Sequence, residues 1–259
     1  MVFFIISILV EFYQKKLINS NIFKDFLEKI KILCYFKDMA TLFVVATPIG
    51  NLEDITLRAL RILKEVDLIA CEDTRVTKKL LQHYQIDKPT ISYHQHSQVG
   101  KIDFLIYKLK EGKNIAVVSD AGTPGISDPG GLLVKAAYDQ GIAVESVPGA
   151  SALATALSIS GLATDNFIFL GFLPHKKGRE TLIKEIVAAK RLVVFYESVH
   201  RIEKTLNQLY EFGLNRQVVL CRELTKKFET VYRGEIKEVI KKLEADQTKG
   251  EFVVIIDAK

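Results

Sequence analysis

Cysteine is scarce in this sequence. The three cysteines, Cys34, Cys71 and Cys221, are widely spaced and form no CxxC pair. Because a disulfide framework or a structural zinc site needs clustered cysteines, this spacing supports neither. Free thiols are typical of a reducing compartment. The sequence therefore predicts reduced cysteines in a cytoplasmic protein.

Long hydrophobic runs are absent as well. The run Val2–Val10 is apolar except for Ser7 and spans nine residues, whereas a membrane-spanning helix needs about 20. It also lacks the basic segment and the small-residue cleavage site of a signal peptide. We expect translation to begin at Met39, which makes residues 1–38 an N-terminal extension from a misassigned start. A translated helical extension and a membrane or export signal are the alternatives.

The sequence has neither a large excess of one charge nor a repeat. Its 36 basic and 31 acidic residues leave a net charge of +5, which is compatible with an anionic partner but does not by itself predict RNA binding. With 259 residues, 48% of them hydrophobic, the chain can bury a full core in one large domain or two moderate ones.

Short apolar runs alternate with segments of helical periodicity through both halves of the chain, which predicts an α/β fold. A composition shift near residue 162 indicates two α/β domains, 39–161 and 162–259, with a cleft between them. The predicted strands are Leu42–Ala46, Asp67–Ala70, Thr90–Tyr93, Ile115–Val118, Ala143–Val147, Phe167–Leu170, Leu192–Tyr196, Val218–Cys221 and Phe252–Ile256.

The loop 119–131 directly follows the strand Ile115–Val118 and contains four glycines and two prolines. Glycine permits positive φ and a close approach of backbone to a ligand. Open α/β sheets bind ligands at the carboxyl ends of their strands. The loop matches neither GxxxxGK[ST] nor GxGxxG, so neither nucleotide motif applies. It is predicted to cradle another ligand, with an ordinary tight crossover as the alternative.

Three more strand ends carry polar or small residues. The segment 47–56 contains Pro48 and Gly50, with Asp54 as the expected helix N-cap, and a simple βα turn is its alternative. The segment 71–75 reads Cys-Glu-Asp-Thr-Arg, for which helix capping by Asp73 or Thr74 is the alternative. The segment 148–153 opens a helix rich in alanine, which could approach a ligand or pack tightly.

These segments carry a family resemblance. The sequence Ser-Asp-Ala-Gly-Thr-Pro at 119–124, with Ile126 and Asp-Pro-Gly at 128–130, resembles the signature of the tetrapyrrole methylases, in particular the branch that methylates small-subunit ribosomal RNA. The resemblance extends over about 39–259. Further matching segments are 48–58, 72–75, 148–152, 171–174, 195–201, 222–230 and 249–253. Gln95, Ser97 and Val199 depart from the family pattern.

The resemblance implies S-adenosylmethionine-dependent methylation of the ribose 2′-hydroxyl of a cytidine in 16S ribosomal RNA. It also implies a homodimer that acts on the small ribosomal subunit without a metal. The residues expected to hold the methyl donor are Pro48, Gly50, Asp120, Ala121, Gly122, Thr123 and Ser151. Glu72 or Asp73 is expected to take the hydroxyl proton, with Arg75 steadying the phosphate or the polar network and Lys226 as a second-rank candidate.

Several other side chains are candidates for RNA contact. Lys78 and Lys79 follow the Glu-Asp-Thr-Arg segment, and the basic loop 175–179 opens the second half. Tyr93 and Tyr196 could serve as stacking platforms, although burial is the commoner fate of such a tyrosine. The pair His94 and His96 could hold a metal, but no further histidine or cysteine cluster completes a site.

Two other functions stay open. A tetrapyrrole C-methyltransferase acting on a precorrin or uroporphyrinogen would share the fold, and fold alone does not exclude it. A catalytically silent ribosome-assembly factor is the second alternative. Three features argue against the tetrapyrrole hypothesis: the Glu-Asp-Thr-Arg segment, the Phe-Tyr-Glu-Ser segment and the basic loop.

Overall fold

A computed structural model describes residues 40–93, 99–128, 130–246 and 249–259. The expectations for residues 1–38, for Met39 and for His94, Gln95, His96 and Ser97 lie outside these residues. Within the described part, Cys71 and Cys221 are buried free cysteines. No helix there is both long enough and apolar enough to span a membrane.

The first half of the chain forms a five-stranded parallel sheet with the strand order β3-β2-β4-β1-β5. Its strands are β1 (Thr41–Val45), β2 (Leu68–Cys71), β3 (Thr90–Ser92), β4 (Ile115–Val118) and β5 (Ala143–Val147). Its helices are α1 (Leu57–Glu65), α2 (Thr74–His83), α3 (Val99–Lys110), α4 (Gly131–Asp139) and α5 (Ala152–Ser160). All four residues of β4 are buried, as expected of a central strand covered on both faces.

One local expectation in this half is wrong. Thr56, not Asp54, is the N-cap of α1, and its hydroxyl accepts a 3.0 Å hydrogen bond from the N–H of Ala59. Asp54 instead ends a short 3₁₀ turn, Leu52–Asp54. That turn lengthens the loop after β1 before the helix begins.

The second half forms a mixed five-stranded sheet with the strand order β6-β7-β10-β8-β9. Its strands are β6 (Phe167–Phe172), β7 (Leu192–Ser198), β8 (Gln217–Arg222), β9 (Thr230–Glu235) and β10 (Glu251–Ile256), and its helices are α6 (Arg179–Ala188), α7 (Ile202–Glu211) and α8 (Ile236–Glu244). Only β6 and β7 pair in parallel, whereas β7, β10, β8 and β9 pair antiparallel.

The sequence analysis missed β9. Its sequence, Thr-Val-Tyr-Arg-Gly-Glu, has a short apolar run and a glycine, and it forms the edge of the sheet next to β8. Edge strands are often polar and short, so apolar patterning marks them weakly.

The two sheets share an apolar cluster. Ala156 on α5 packs with Val194 of β7, Val253 of β10 and Leu224, and the cluster also contains Ile49 from the loop after β1. This cluster brings the carboxyl end of the first sheet against the second sheet. The boundary between residues 161 and 162 remains a proposed domain boundary.

Candidate active site

A cavity of about 250 Å³ lies between the two sheets. The loops after β1, β2, β4 and β5 line one side, and β6, β7, β10 and the loop after β8 line the other. Its charged and hydroxyl-bearing side chains are Glu72, Asp120, Thr123, Ser127, Asp128, Ser151, Tyr196, Glu197, Lys226 and Glu251. The cavity thus joins residues from eight segments that are distant in sequence.

Hydrogen bonds hold the glycine-rich loop after β4 to its neighbours. Thr47 and Gly122 exchange two backbone hydrogen bonds of 2.9 and 3.0 Å, and the Thr123 hydroxyl donates to the Ala150 carbonyl at 3.1 Å. Gly122 has φ +84°, and a Cβ there would lie 3.3 Å from Cγ2 of Ile49. Few residues other than glycine adopt this conformation. Because glycine also has no side chain, a ligand in the cavity can approach the backbone of the loop closely.

Most residues predicted to hold a methyl donor line this cavity. Asp120, Ala121, Gly122, Thr123 and Ser151 do so. Ser151 is also the N-cap of α5, where its hydroxyl accepts from the N–H of Ala154 at 3.5 Å. In the segment after β1, Ile49 lines the cavity. Its neighbours Pro48 and Gly50 are not among the lining residues.

Gly50 is instead packed against the loop that follows β8. A Cβ at Gly50 would lie 2.4 Å from Cγ of Lys226 and 3.0 Å from Oγ1 of Thr225. These distances are shorter than a side chain can tolerate without movement of its neighbours. Gly50 therefore permits the close approach that places Lys226 at the cavity.

Glu72 and Asp73 are adjacent in sequence but lie in different surroundings. Glu72 lines the cavity. Asp73 is outside the lining and caps α2, accepting a 2.8 Å hydrogen bond from the N–H of Arg75. Its carboxylate also binds the Arg75 guanidinium, with Nη2 to Oδ2 at 2.6 Å. This arrangement agrees with the capping alternative for Asp73 and leaves Arg75 paired on the surface.

The hydrogen bonds to Arg75 lower the pKa of Asp73 to about 2. A carboxylate with so low a pKa is a weak proton acceptor near neutral pH. Of the two residues considered for the hydroxyl proton, Glu72 has the better location.

Lys226 reaches the cavity from the second sheet and pairs with two carboxylates. Its Nζ lies 2.9 Å from Oε1 of Glu223 and 2.8 Å from Oε2 of Glu251. Burial alone would lower the pKa of Lys226, but the hydrogen bonds to Glu251 and Glu223 leave it raised. The ammonium stays protonated at neutral pH, so Lys226 contributes a positive charge rather than a proton acceptor.

The loop that carries Lys226 has an unusual backbone. Glu223 and Thr225 have φ values of 51° and 66°, a region that non-glycine residues seldom adopt. Oγ1 of Thr225 is buried without a hydrogen-bond partner. Strain of this kind often accompanies functional sites, where surrounding packing maintains it.

Asp128 is a cavity residue that the sequence analysis quoted in a motif but did not assign a role. Burial, with the nearby charge of Glu72 as the next cause, raises the pKa of Asp128 to about 6. The hydrogen bond from Ser119 opposes the increase, and Asp120 and Glu251 add to it. Its position in the glycine-rich loop was the available signal, but only the fold brings the other carboxylates near it.

Glu197 is a second cavity residue without a predicted role. Its side chain is 0% exposed, and Oε1 lies 2.7 Å from Nη2 of Arg201 while Oε2 lies 3.8 Å from Nη1 of Arg179. The Thr205 hydroxyl donates to Oε2 at 2.9 Å. This buried network supports the wall of the cavity formed by β7.

Two candidates for RNA contact are buried in the fold, which for Tyr93 is the alternative already named and for Arg179 makes the proposed contact wrong. Tyr93 is 2% exposed, and its hydroxyl accepts from the N–H of Leu133. Arg179 is buried and donates to Thr205 and Gln208. By contrast, Lys78, Lys79, His175, Lys176 and Lys177 are exposed.

An aromatic pair borders the cavity on the second sheet. Tyr196 packs edge-on against Phe172, with ring centroids 5.5 Å apart, and both residues line the cavity. Phe172 is 56% exposed. Phe172 is therefore a more accessible candidate for base stacking than Tyr196, and the sequence analysis did not single it out.

Comparisons with known proteins show which families the chain resembles. The family model for the tetrapyrrole (corrin/porphyrin) methylases matches residues 41–240. A curated protein of Halalkalibacterium halodurans named ribosomal RNA small subunit methyltransferase I is 50% identical over 221 residues, covering 85% of this chain and 76% of that protein. The protein of the same name from Thermotoga maritima is 46% identical over 221 residues, covering 85% of this chain and 100% of its own.

Solved structures match at the level of the fold. A cobalt precorrin-4 methyltransferase superposes with a TM-score of 0.61 at 16% identity, covering 85% of this chain and 95% of its own. A diphthine synthase superposes with a TM-score of 0.66 at 13% identity, covering 84% of this chain and 90% of its own. At such low identity, the shared property is the arrangement of the two sheets around their cleft.

Proposed function

The chain belongs to the tetrapyrrole methylases, among the ribosomal RNA small subunit methyltransferases I, and we propose that it methylates the ribose 2′-hydroxyl of a cytidine in 16S ribosomal RNA. S-adenosylmethionine is the proposed donor. The observation that carries this proposal is the cavity where the loop 119–128 faces Lys226 and the aromatic pair across the cleft. Relatives near 50% identity supply the substrate class.

The cavity fits a donor that is positively charged and has an apolar portion. Asp120, Asp128 and Glu72 supply negative charge, while Ile49 and Leu224 supply apolar surface. We propose that the donor is held by Asp120, Ala121, Gly122, Thr123 and Ser151, with backbone near Pro48 and Gly50. When bound, a sulfonium supplies a methyl group already activated for transfer, so the chain must align the acceptor and remove its proton.

Exposed basic residues on both halves suit an anionic RNA. Lys78 and Lys79 on α2 belong to the first half, and Lys176 and Lys177 precede α6 in the second. Each phosphate neutralised by such a side chain contributes salt-dependent affinity. Phe172, with Tyr196 behind it, is the proposed platform for an unstacked base next to the target ribose.

We further propose that the protein acts in the cytoplasm, on the small ribosomal subunit, as a homodimer. The tetrapyrrole C-methyltransferase alternative draws on fold similarity at 16–19% identity, which carries less weight than relatives near 50%. Val199 is one of the departures from the family pattern that favour the silent-factor alternative. It is partly buried and packs against the core of the second sheet. A change at such a position affects packing rather than turnover.

The test is methyl transfer from labelled S-adenosylmethionine by the full chain. Substrates are small ribosomal subunits that lack the modification, naked 16S ribosomal RNA and, in parallel, uroporphyrinogen III. We expect label in the subunits and its recovery as 2′-O-methylcytidine after nuclease digestion. Label on a base, label only in the tetrapyrrole, or donor binding without transfer to any substrate would each contradict the proposal.

A further inference from the structure

Methylation of a ribose hydroxyl requires a group that removes its proton. The inference below rests on the proposed function and concerns which residue does this. Four carboxylates that line the cavity lie outside the buried arginine network: Glu72, Asp120, Asp128 and Glu251. Their contacts differ, and the differences separate their roles.

Two of these carboxylates are engaged elsewhere. Oδ1 of Asp120 accepts the N–H of Asp73 at 2.9 Å, which holds the beginning of α2. The side chain of Glu251 is 80% exposed, and its Oε2 binds the Lys226 ammonium. Both side chains therefore already serve structural contacts.

The residue before Asp128 packs against the second sheet. Ser127, directly before it, has φ 65°. A Cβ at Gly171 of β6, itself at φ +61°, would lie 3.0 Å from Oγ of Ser127. The loop therefore packs closely against the second sheet at Gly171. A short side chain places its reacting group more precisely than a long side chain does.

We propose that Asp128 accepts the proton of the ribose 2′-hydroxyl during methyl transfer. The 2′-oxygen forms a bond to the methyl carbon while the carbon–sulfur bond breaks, with its electron pair passing to sulfur. The hydroxyl proton passes to a carboxylate oxygen of Asp128. The products are a neutral methyl ether, a neutral thioether and a neutral carboxylic acid, which returns its proton to solvent.

The surroundings of Asp128 suit this role. Burial raises its pKa to about 6, and the charges of Glu72 beyond β2, Asp120 beyond β4 and Glu251 on β10 act in the same direction. The Tyr196 hydroxyl also interacts with Asp128, and Lys226 and Glu197 are the remaining titratable side chains that line the cavity. A base with a pKa just below the working pH is ionised and still accepts protons well.

The test compares Asp128→Asn with the wild-type protein on the same small ribosomal subunits. We expect the transfer rate to fall by about 10²- to 10⁴-fold. The dissociation constant for S-adenosylmethionine, measured by equilibrium dialysis, should rise by no more than about tenfold, because the substitution keeps the shape of the side chain and removes only one of the negative charges of the cavity. Asp139→Asn is the matched control, since Asp139 is an exposed residue of α4 paired with Lys135.

The pH profile separates Asp128 from Glu72. In the wild-type protein the rate should rise tenfold per pH unit below about pH 6 and level off above it, since only ionised Asp128 accepts the proton. Glu72→Gln should keep this dependence but shift it to lower pH, because it removes a repelling charge. Asp128→Glu should recover part of the rate lost in Asp128→Asn.

Three results overturn the inference without touching the proposed function, because the wild-type protein still labels the subunits in each. The first is an Asp128→Asn variant that keeps a tenth or more of the wild-type transfer rate. The second is an Asp128→Asn variant whose donor binding weakens in proportion to its transfer rate. The third is a Glu72→Gln variant whose transfer rate no longer falls at acidic pH. If the wild-type protein labels no RNA, the proposed function falls, and the inference falls with it.

Discussion

The backbone N–H of Asp73 donates a 2.9 Å hydrogen bond to Oδ1 of Asp120, across 47 residues of sequence. The two residues follow β2 and β4, which are neighbouring strands of the parallel sheet. This bond ties the beginning of α2 to the glycine-rich loop. It also holds Glu72, the residue before Asp73, at the cavity.

Replacing Asp120 tests this connection. Asp120→Asn keeps an oxygen acceptor, so we expect an unchanged melting temperature but weaker donor binding, because a negative charge is lost. Asp120→Ala leaves the N–H of Asp73 unpaired, which should lower the free energy of unfolding by about 1 kcal/mol. Thermal denaturation and equilibrium dialysis measure the two effects. Equal melting temperatures for both variants would show that the hydrogen bond is not structural.

Asp73 should be replaceable by asparagine without loss of activity. Asparagine caps helices as well as aspartate does, whereas Asp73→Ala should lower the melting temperature. Hydrogen bonds to Arg75 lower the pKa of Asp73 to about 2, so its contribution to stability is present above about pH 4 and is lost as the pH falls toward 2. A loss of turnover in Asp73→Asn at an unchanged melting temperature would restore Asp73 as a catalytic candidate.

Gly50→Ala should lower activity by displacing Lys226. The new Cβ would lie 2.4 Å from Cγ of Lys226, so the side chain must move and its ion pairs with Glu223 and Glu251 must change. We expect about a tenfold lower transfer rate, as is typical when a positioned group is shifted. Gly100→Ala is the control, because a Cβ there meets nothing within 4 Å. Rates that are equal in the two variants would contradict the role given to this close packing.

Glu197→Gln should destabilise the fold. The carboxylate is fully buried and faces Arg201 and Arg179, so removing its charge leaves buried cations uncompensated. The expected loss is about 3 kcal/mol in the free energy of unfolding, measured by urea denaturation. The control Glu180→Gln breaks an exposed pair with Lys184 and should cost less than about 0.5 kcal/mol. Similar losses of unfolding free energy in the two variants would show that the buried contacts of Glu197 with the arginines do not stabilise the fold.

Asp128→Asn should stabilise the protein at neutral pH. An aspartate in the unfolded chain titrates near pH 3.9, while burial raises the pKa of Asp128 to about 6. Between these values the folded state binds more protons, so stability falls as the pH rises and the full cost persists above pH 6. After allowance for partial exposure, the gain at pH 7.5 is about 1 to 2 kcal/mol. It should disappear at pH 4, and a gain that is independent of pH would contradict this account.

Much of the fold was predictable because its signals are local. The buried strand Ile115–Val118 and the edge strand Ala143–Val147, in which only Val147 is buried, have the predicted bounds. The glycine-rich loops follow parallel strands, whose carboxyl ends lie at one edge of the sheet. Strand β9, with Arg233 and Gly234, was missed because it lies at an edge, where patterning is weak.

The site was predictable only in part. Motif residues of the first sheet, such as Asp120 and Ser151, line the cavity as a group. Across the cleft, Lys226 was a second-rank candidate and Glu197 had no predicted role, because both reach the cavity only through the packing of α5 against the second sheet. Arg179 appeared to be a basic loop residue and is instead buried.

The sequence by itself determined most of the succession of strands and helices, the positions of the glycine-rich loops and the family. These depend on side-chain periodicity and backbone preferences over a few neighbouring residues. Only the tertiary structure decided that Asp73 lies outside the cavity, that Lys226 pairs with two carboxylates and that burial raises the pKa of Asp128 to about 6. The reason is that desolvation and charge interactions depend on distances through space, and the chain sets those distances only when its two sheets meet.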